Sequence, residues 1–204
     1  MQKASIRRLF LIKYTMFITT EQTPNPNTLK FGVGKEVRGD ATPLFFKKDT
    51  ANNPKAKAPI VEALFKIDDI ESVFFGSDFI TVGKNENTEW WIVKPDILGT
   101  IMDHSDEPYV TEVEPVENKL DHELDEEQLE INTKIKDLLD QKVRPAVALD
   151  GGDIIFHSYQ QGTVYLEMHG SCAGCPSSTA TLKAGIENMM KHYIPEVHSV
   201  EAVG

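Results

Sequence analysis

The sequence predicts an α+β protein: two small α/β-type domains joined by an acidic flexible linker, the second made of two helices packed on a small mixed sheet. Three observations carry this reading. Helical and strand-like hydrophobic periods alternate along both halves. Between Asp103 and Glu130 the chain turns strongly acidic, with Lys119 as its single basic residue. At 204 residues the chain has room for one domain or two small ones.

In chain order, residues 1–15 form a basic extension, disordered or targeting, with Lys3, Arg7, Arg8 and Lys13 and no acid. Its apolar run, Leu9-Phe10-Leu11-Ile12, is too short for a secretory core, and translation starting upstream of a natural Met16 accounts for it equally well. The first domain spans residues 16–104. Residues 17–22 read as a strand and Thr23-Pro24-Asn25-Pro26-Asn27 as a turn or extended loop. Leu29, Phe31 and Val33 alternate as in a half-buried strand. Ile60, Val61, Leu64 and Ile67 have helical spacing behind Pro59. Ser72–Phe75 and Phe79–Val82 flank Gly76-Ser77-Asp78 as a hairpin. Thr88 is placed to cap a helix carrying Trp90, Trp91, Ile97, Leu98 and Ile101, which Pro95 bends.

Residues 105–126 read as the acidic linker. A flexible tether of about 20 residues spans roughly 25 Å, which leaves the halves free to move. The second domain covers residues 127–204. Leu129, Ile131, Ile135, Leu138, Leu139 and Val143 share a helical face, and Pro145 stops or bends that helix. Asp150-Gly151-Gly152-Asp153 is a tight turn. Ile154–Ser158 and Thr163–Met168 are hairpin strands. A helix with Leu182, Ile186, Met189, Met190 and Tyr193 follows Pro176, and residues 197–203 supply a last strand.

Composition excludes several classes of function. A net charge of −11 and a pI near 5.0 argue against general nucleic-acid binding and against docking on anionic lipid. No apolar run approaches the ~20 residues of a membrane span. Two cysteines cannot staple a secreted scaffold.

Those two, Cys172 and Cys175, carry the chemical content, in Gly170-Ser171-Cys172-Ala173-Gly174-Cys175-Pro176. Pro176 favours the first helical position, so Cys175 falls at the N-cap, where free N–H groups and the positive helix end favour thiolate. No acid lies within several residues of the pair in sequence, and a site of this kind is expected to be open to solvent. Four readings compete: half of a four-thiolate iron–sulfur site completed by an identical chain, half of a zinc site, a redox-active dithiol, and inert core residues. A thioredoxin-like dithiol wants a parallel βαβ unit, whereas the two preceding strands are hairpin-linked and antiparallel. A zinc site within one chain needs two further ligands. His157, His169, His192 and His198 lack finger-type spacing, although His169, three residues before Cys172, stays open as a ligand. Two cysteines per chain therefore point to a site completed by another chain.

The segments Asp150–Asp153, Gly170–Ser178, Leu182-Lys183 and Tyr193–Val197 also resemble the C-terminal domain of NifU and the Nfu-type iron–sulfur scaffold proteins. Met16–Ile18, Thr23–Phe31, Val73–Val82 and Lys94–Asp96 resemble the Nfu N-terminal domain. The resemblance implies a carrier, not an enzyme. Cys172 and Cys175 of each of two subunits would hold one 4Fe–4S cluster as metal ligands, with a homodimer forming on cluster binding. Apo iron–sulfur clients would receive the cluster, upstream assembly proteins would supply it, and neither nucleic acid nor membrane would be a partner. The cysteine-loop sequence looks more like bacterial members, which gives a bacterial cytoplasmic expectation. The mitochondrial matrix is the alternative, suggested by the basic start.

Overall fold

A computed structural model describes residues 17–39, 41–48, 50, 53–114, 126–173 and 176–203. The basic extension 1–15 and Cys175 lie outside the described residues.

The first unit is built on a five-stranded antiparallel sheet. Its strands are β1 (Thr19–Gln22), β2 (Thr28–Gly32), β3 (Leu44–Lys47), β5 (Ile70–Phe75) and β6 (Phe79–Lys84), in the order β1-β2-β6-β5-β3. Helices α1 (Pro59–Phe65) and α2 (Trp90–Asp103) cover one face, burying Ile60, Val61 and Leu64 from α1 and Val93, Ile97 and Ile101 from α2. Strand β3 has no counterpart in the expected elements. The expected hairpin is present as β5–β6, and β6 is buried along its whole length. Phe45, Phe74 and Phe79 project from the other face of the sheet and form a second cluster. This explains the uninterrupted apolar run Val73-Phe74-Phe75, since a strand covered on both faces needs no alternation. Helix α2 starts after Glu89 rather than Thr88, and no side chain caps it. Its Trp90 indole donates to the Pro26 carbonyl at 2.9 Å, which fixes the Pro24–Asn27 turn against the helix.

Part of the stretch read as linker is tied to this unit. A two-residue strand, β7 (Glu112–Val113), pairs antiparallel with β4 (Ala56–Lys57). Tyr109 is buried in the first core, and Lys35 Nζ lies 4.0 Å from its ring centroid. The Lys35 ammonium donates to the Ser105 and Glu107 carbonyls at 2.6 and 2.7 Å. The density of acids hid Tyr109 and Val110, whose apolar surface outweighs the local charge.

In the second unit α3 (Glu126–Leu138) continues through a π-helical turn (Leu139–Val143) into α4 (Arg144–Leu149). Pro145 thus neither ends the helix nor stands in its interior. It occupies the first turn of α4, where its missing N–H has no intrahelical partner to lose, and the wide turn before it absorbs the misfit. Strands β8 (Gly152–Gln160) and β9 (Thr163–Gly170) form a hairpin turned by Gln161 and Gly162, with φ of 49° and 82°. Helix α5 (Pro176–Tyr193) then carries the chain back to β10 (Ser199–Val203), which lies parallel to β9. The sheet is mixed, as expected, with two helical segments over it.

Candidate functional site

The site is assembled by glycines. Strand β9 ends at Gly170, whose φ of 60° turns the chain away from the sheet. Cys172 N–H donates to the His169 carbonyl and Ala173 N–H to the Gly170 carbonyl, both at 3.2 Å, closing a tight loop. The Thr179 hydroxyl of α5 donates to the Cys172 carbonyl at 3.2 Å. Across the sheet, the Gly151-Gly152 turn lies directly against this loop. A Cβ on Gly152 would stand 2.5 Å from Cys172 Sγ and 2.9 Å from the His169 carbonyl oxygen. A Cβ on Gly170 would stand 2.5 Å from the Gly151 oxygen. The Gly-Gly pair, expected to be no more than a turn, is thus the floor on which the cysteine rests.

Asp153, at the end of the same turn, is buried and held by Arg144 through two parallel hydrogen bonds of 2.8 and 2.9 Å. A third reaches the backbone N–H of Ile154. Arg144 also bonds Asp140 at 2.8 Å, and these carboxylates hold its guanidinium firmly protonated. The pair ties α4 to the start of β8 and so fixes the glycine floor.

The expectations of an open site and of no nearby acid are corrected at Cys172. Its side chain is buried, not open to solvent, because it joins the second unit's own hydrophobic core, and the first unit lies over the neighbouring Ala173. Ala173 packs on Phe45, Phe74 and Phe79, and the Asn25 amide donates to the Ala173 carbonyl at 2.7 Å. Its thiol is also disfavoured from ionising. Burial pushes the Cys172 pKa up to about 12, with Asp153 and Asp150 adding to the rise and a hydrogen bond from Ser171 opposing it. Those acids are far along the chain and near in space, which a sequence window does not register. The thiolate favoured by the helix end was expected at Cys175, which lies outside the described residues.

His169, left open as a ligand, faces the first unit. Its ring stacks on Phe45 with centroids 4.8 Å apart, and its Nε2 lies 3.1 Å from Glu167. Among the described residues, no three His, Cys, Asp or Glu side chains are grouped to hold a metal ion. The strand argument against a redox dithiol also changes. The cysteine segment does follow a strand, β9, that is joined through α5 to a parallel neighbour, β10. What opposes attack on a disulfide in this arrangement is the raised thiol pKa, since the thiolate is the nucleophile. Sequence reasoning named Gly152, Gly170 and Asn25 only as parts of turns and of the cysteine loop and gave Arg144 no role, so their part in shaping the site was missed.

Among the described residues, no helix is long and apolar enough to cross a membrane. A family model described as NifU-like domain matches residues 135–201, and one described as scaffold protein Nfu/NifU N terminal matches residues 18–107. The chain is 46% identical over 193 residues to a Drosophila persimilis protein named NFU1 iron-sulfur cluster scaffold homolog, mitochondrial. That alignment covers 94% of this chain and 66% of the relative. The Drosophila willistoni protein of the same name is 47% identical over 197 residues, covering 96% and 66%. The chain therefore spans just under two thirds of the length of these relatives. The solution NMR structure of a NifU-like protein from Saccharomyces cerevisiae is 25% identical, covers 48% of this chain and 86% of its own, and superposes with a TM-score of 0.42. With both domains matched in order and relatives aligned over nearly the whole chain, the protein belongs to the Nfu family of NifU-like proteins.

Proposed function

We propose that the protein is an iron–sulfur cluster scaffold that holds a 4Fe–4S cluster between two copies of the chain and passes it to apo-proteins. The single observation behind this reading is the Cys172 loop. It is a tight, glycine-floored turn between β9 and α5 that offers one soft donor, with Cys175 three residues further along the sequence. It lies in a segment aligned with proteins named as iron–sulfur scaffolds. A cubane needs four thiolates, so two chains would each supply Cys172 and Cys175. Each thiol gives up its proton as it takes iron, which makes loading dependent on pH. Delivery would be ligand exchange, with a client thiolate replacing one of these sulfurs at a time until the cluster has moved whole. No bond of an organic substrate changes, so the activity is that of a carrier and not an enzyme. The partners are a second copy of the chain, an upstream cluster source and apo-clients. The relatives' names favour the mitochondrial matrix over the bacterial cytoplasm inferred from the cysteine loop.

Anaerobic reconstitution of the full chain with ferrous iron and sulfide tests the reading through Mössbauer spectra and sedimentation. The expected product is a dimer with one cubane per two chains, abolished in Cys172→Ser and in Cys175→Ser. A strictly monomeric chain retaining the cluster, or a serine variant with its full complement, overturns it. Bound zinc without iron would identify a structural zinc dimer. A reversible intramolecular disulfide without iron would identify a thiol–disulfide oxidoreductase.

A further inference from the structure

The two units meet at the cysteine loop, and the first unit provides polar contacts there that its own fold does not need. Asn25 is buried, and its side chain has two roles. Its Oδ1 accepts from Asn27 N–H at 2.9 Å, shaping the turn, while its Nδ2 donates across to the Ala173 carbonyl at 2.7 Å. The buried Thr81 hydroxyl, on β6, donates to the Gly151 carbonyl at 2.7 Å, on the floor beneath the cysteine. Lys30 donates to the Leu149 carbonyl at 3.0 Å. Around these bonds Phe45 and Phe74 close over His169, Gly170 and Ala173. A Cβ on Gly170 would come within 3.0 Å of the Phe74 ring, so the two backbones approach as closely as glycine permits.

We infer that the first domain is a removable cap on the cysteine loop, latched by Asn25 and Thr81, and that a second copy of the chain can reach Cys172 only after the cap has swung away. Cys172 packs in the second unit's core, and the residues beside it, His169, Gly170 and Ala173, are covered by Phe45, Phe74 and Asn25 of the first unit, so a second copy has no room to seat on this loop in the closed form. Closed and paired arrangements therefore compete for one surface. Residues 171–173 face either the chain's own first domain or another chain's loop. The closed form covers the metal-free loop with Phe45, Phe74 and Asn25. The inference rests on the proposed function only for what replaces the cap. The cap itself is a property of the metal-free chain.

The test uses the full-length, metal-free, reduced chain with Cys175→Ser, so that a single thiol is read. Alkylation of Cys172 by N-ethylmaleimide is followed by mass spectrometry. Asn25→Asp keeps the oxygen that shapes the turn and removes the donor to Ala173. Thr81→Val keeps the shape and removes the hydroxyl. The double variant is expected to alkylate about 10-fold faster, the loss of two buried hydrogen bonds from the closed form. Circular dichroism identifies any variant that has lost its fold. Small-angle scattering of the unsubstituted metal-free chain provides a readout that needs no variant, with closed dimensions expected. Cys172 that already alkylates as fast as in denaturant, an unchanged rate in a folded double variant, or scattering from two separated domains in the metal-free chain would each overturn the inference. None of these measurements involves iron, so failure to bind a cluster would count against the proposed function and leave the cap in place.

Discussion

Cys172 keeps its proton far into alkaline solution because its sulfur is enclosed and faces Asp153 and Asp150. The folded chain therefore holds a neutral thiol from the ordinary value of 9.0 up to about 12, while the unfolded chain ionises at the lower value. The stability contributed by the protonated thiol is fully present below 9 and lost as pH rises to 12. Thiolate absorbance near 240 nm in the metal-free Cys175→Ser chain should appear only towards the upper value, and Cys172→Ser should remove it. Position 152 makes a second prediction. An alanine there pushes Cys172 Sγ, the His169 carbonyl and the Ser171 hydroxyl at once. Gly152→Ala should destabilise the chain by about 1–3 kcal/mol in denaturant titration, as overpacking does, and should lower cluster loading through the displaced loop. The cysteine pair was plain in the sequence, whereas the environment of its first member was not. The residues that enclose it belong to the second unit's core, such as Ile154 and Ile186, and the acids that face it stand at positions 150 and 153, all outside any local window.

At the level of elements, the π-helical turn and α4 deliver Arg144 to Asp153. Arg144→Leu would leave the Asp153 carboxylate buried without its counter-ion, at a cost on the order of 3 kcal/mol. Urea unfolding should show that loss, and Asp153→Asn together with Arg144→Leu should recover part of it. In the first unit, Tyr109 locks the strand pair β4–β7 to the core. Tyr109→Ala should cost about 3–5 kcal/mol, and Tyr109→Phe should cost little because the phenol oxygen has no hydrogen-bond partner among the described residues. Thermal unfolding of the two variants separates these outcomes. Elements with an unbroken period, such as α1, α5 and the two hairpins, were legible from residue pattern alone. Strand β3 was not, because Leu44-Phe45-Phe46 is a short run with polar segments on both sides, and its pairing with β5 is non-local. A mixed sheet was anticipated in the second unit, but that β10 takes β9 and not β8 as its neighbour was hidden, since partner choice between strands leaves no mark in either one.

Across the whole molecule, the contact between the two units was not readable in the sequence. Interfaces of this kind join residues such as Asn25 and Ala173 that are 148 positions apart. The contact predicts cooperative melting. Trp90 and Trp91 both belong to the first unit, so their fluorescence tracks that unit alone, while circular dichroism tracks both. In the metal-free chain the two transitions should coincide, and in the Asn25→Asp, Thr81→Val double variant they should separate.

One carbonyl oxygen, that of Gly151, accepts both the Thr81 hydroxyl at 2.7 Å and the Ser171 backbone N–H at 3.2 Å. A single atom is thus common to the clasp and to the cysteine loop, and thermodynamic reciprocity would couple the clasp to the proposed cluster binding. By whatever ratio a closed clasp weakens the hold on iron, a captured cubane must weaken the clasp by that same ratio. A mutation that only loosens the clasp is then an affinity mutation as well, made without touching either sulfur.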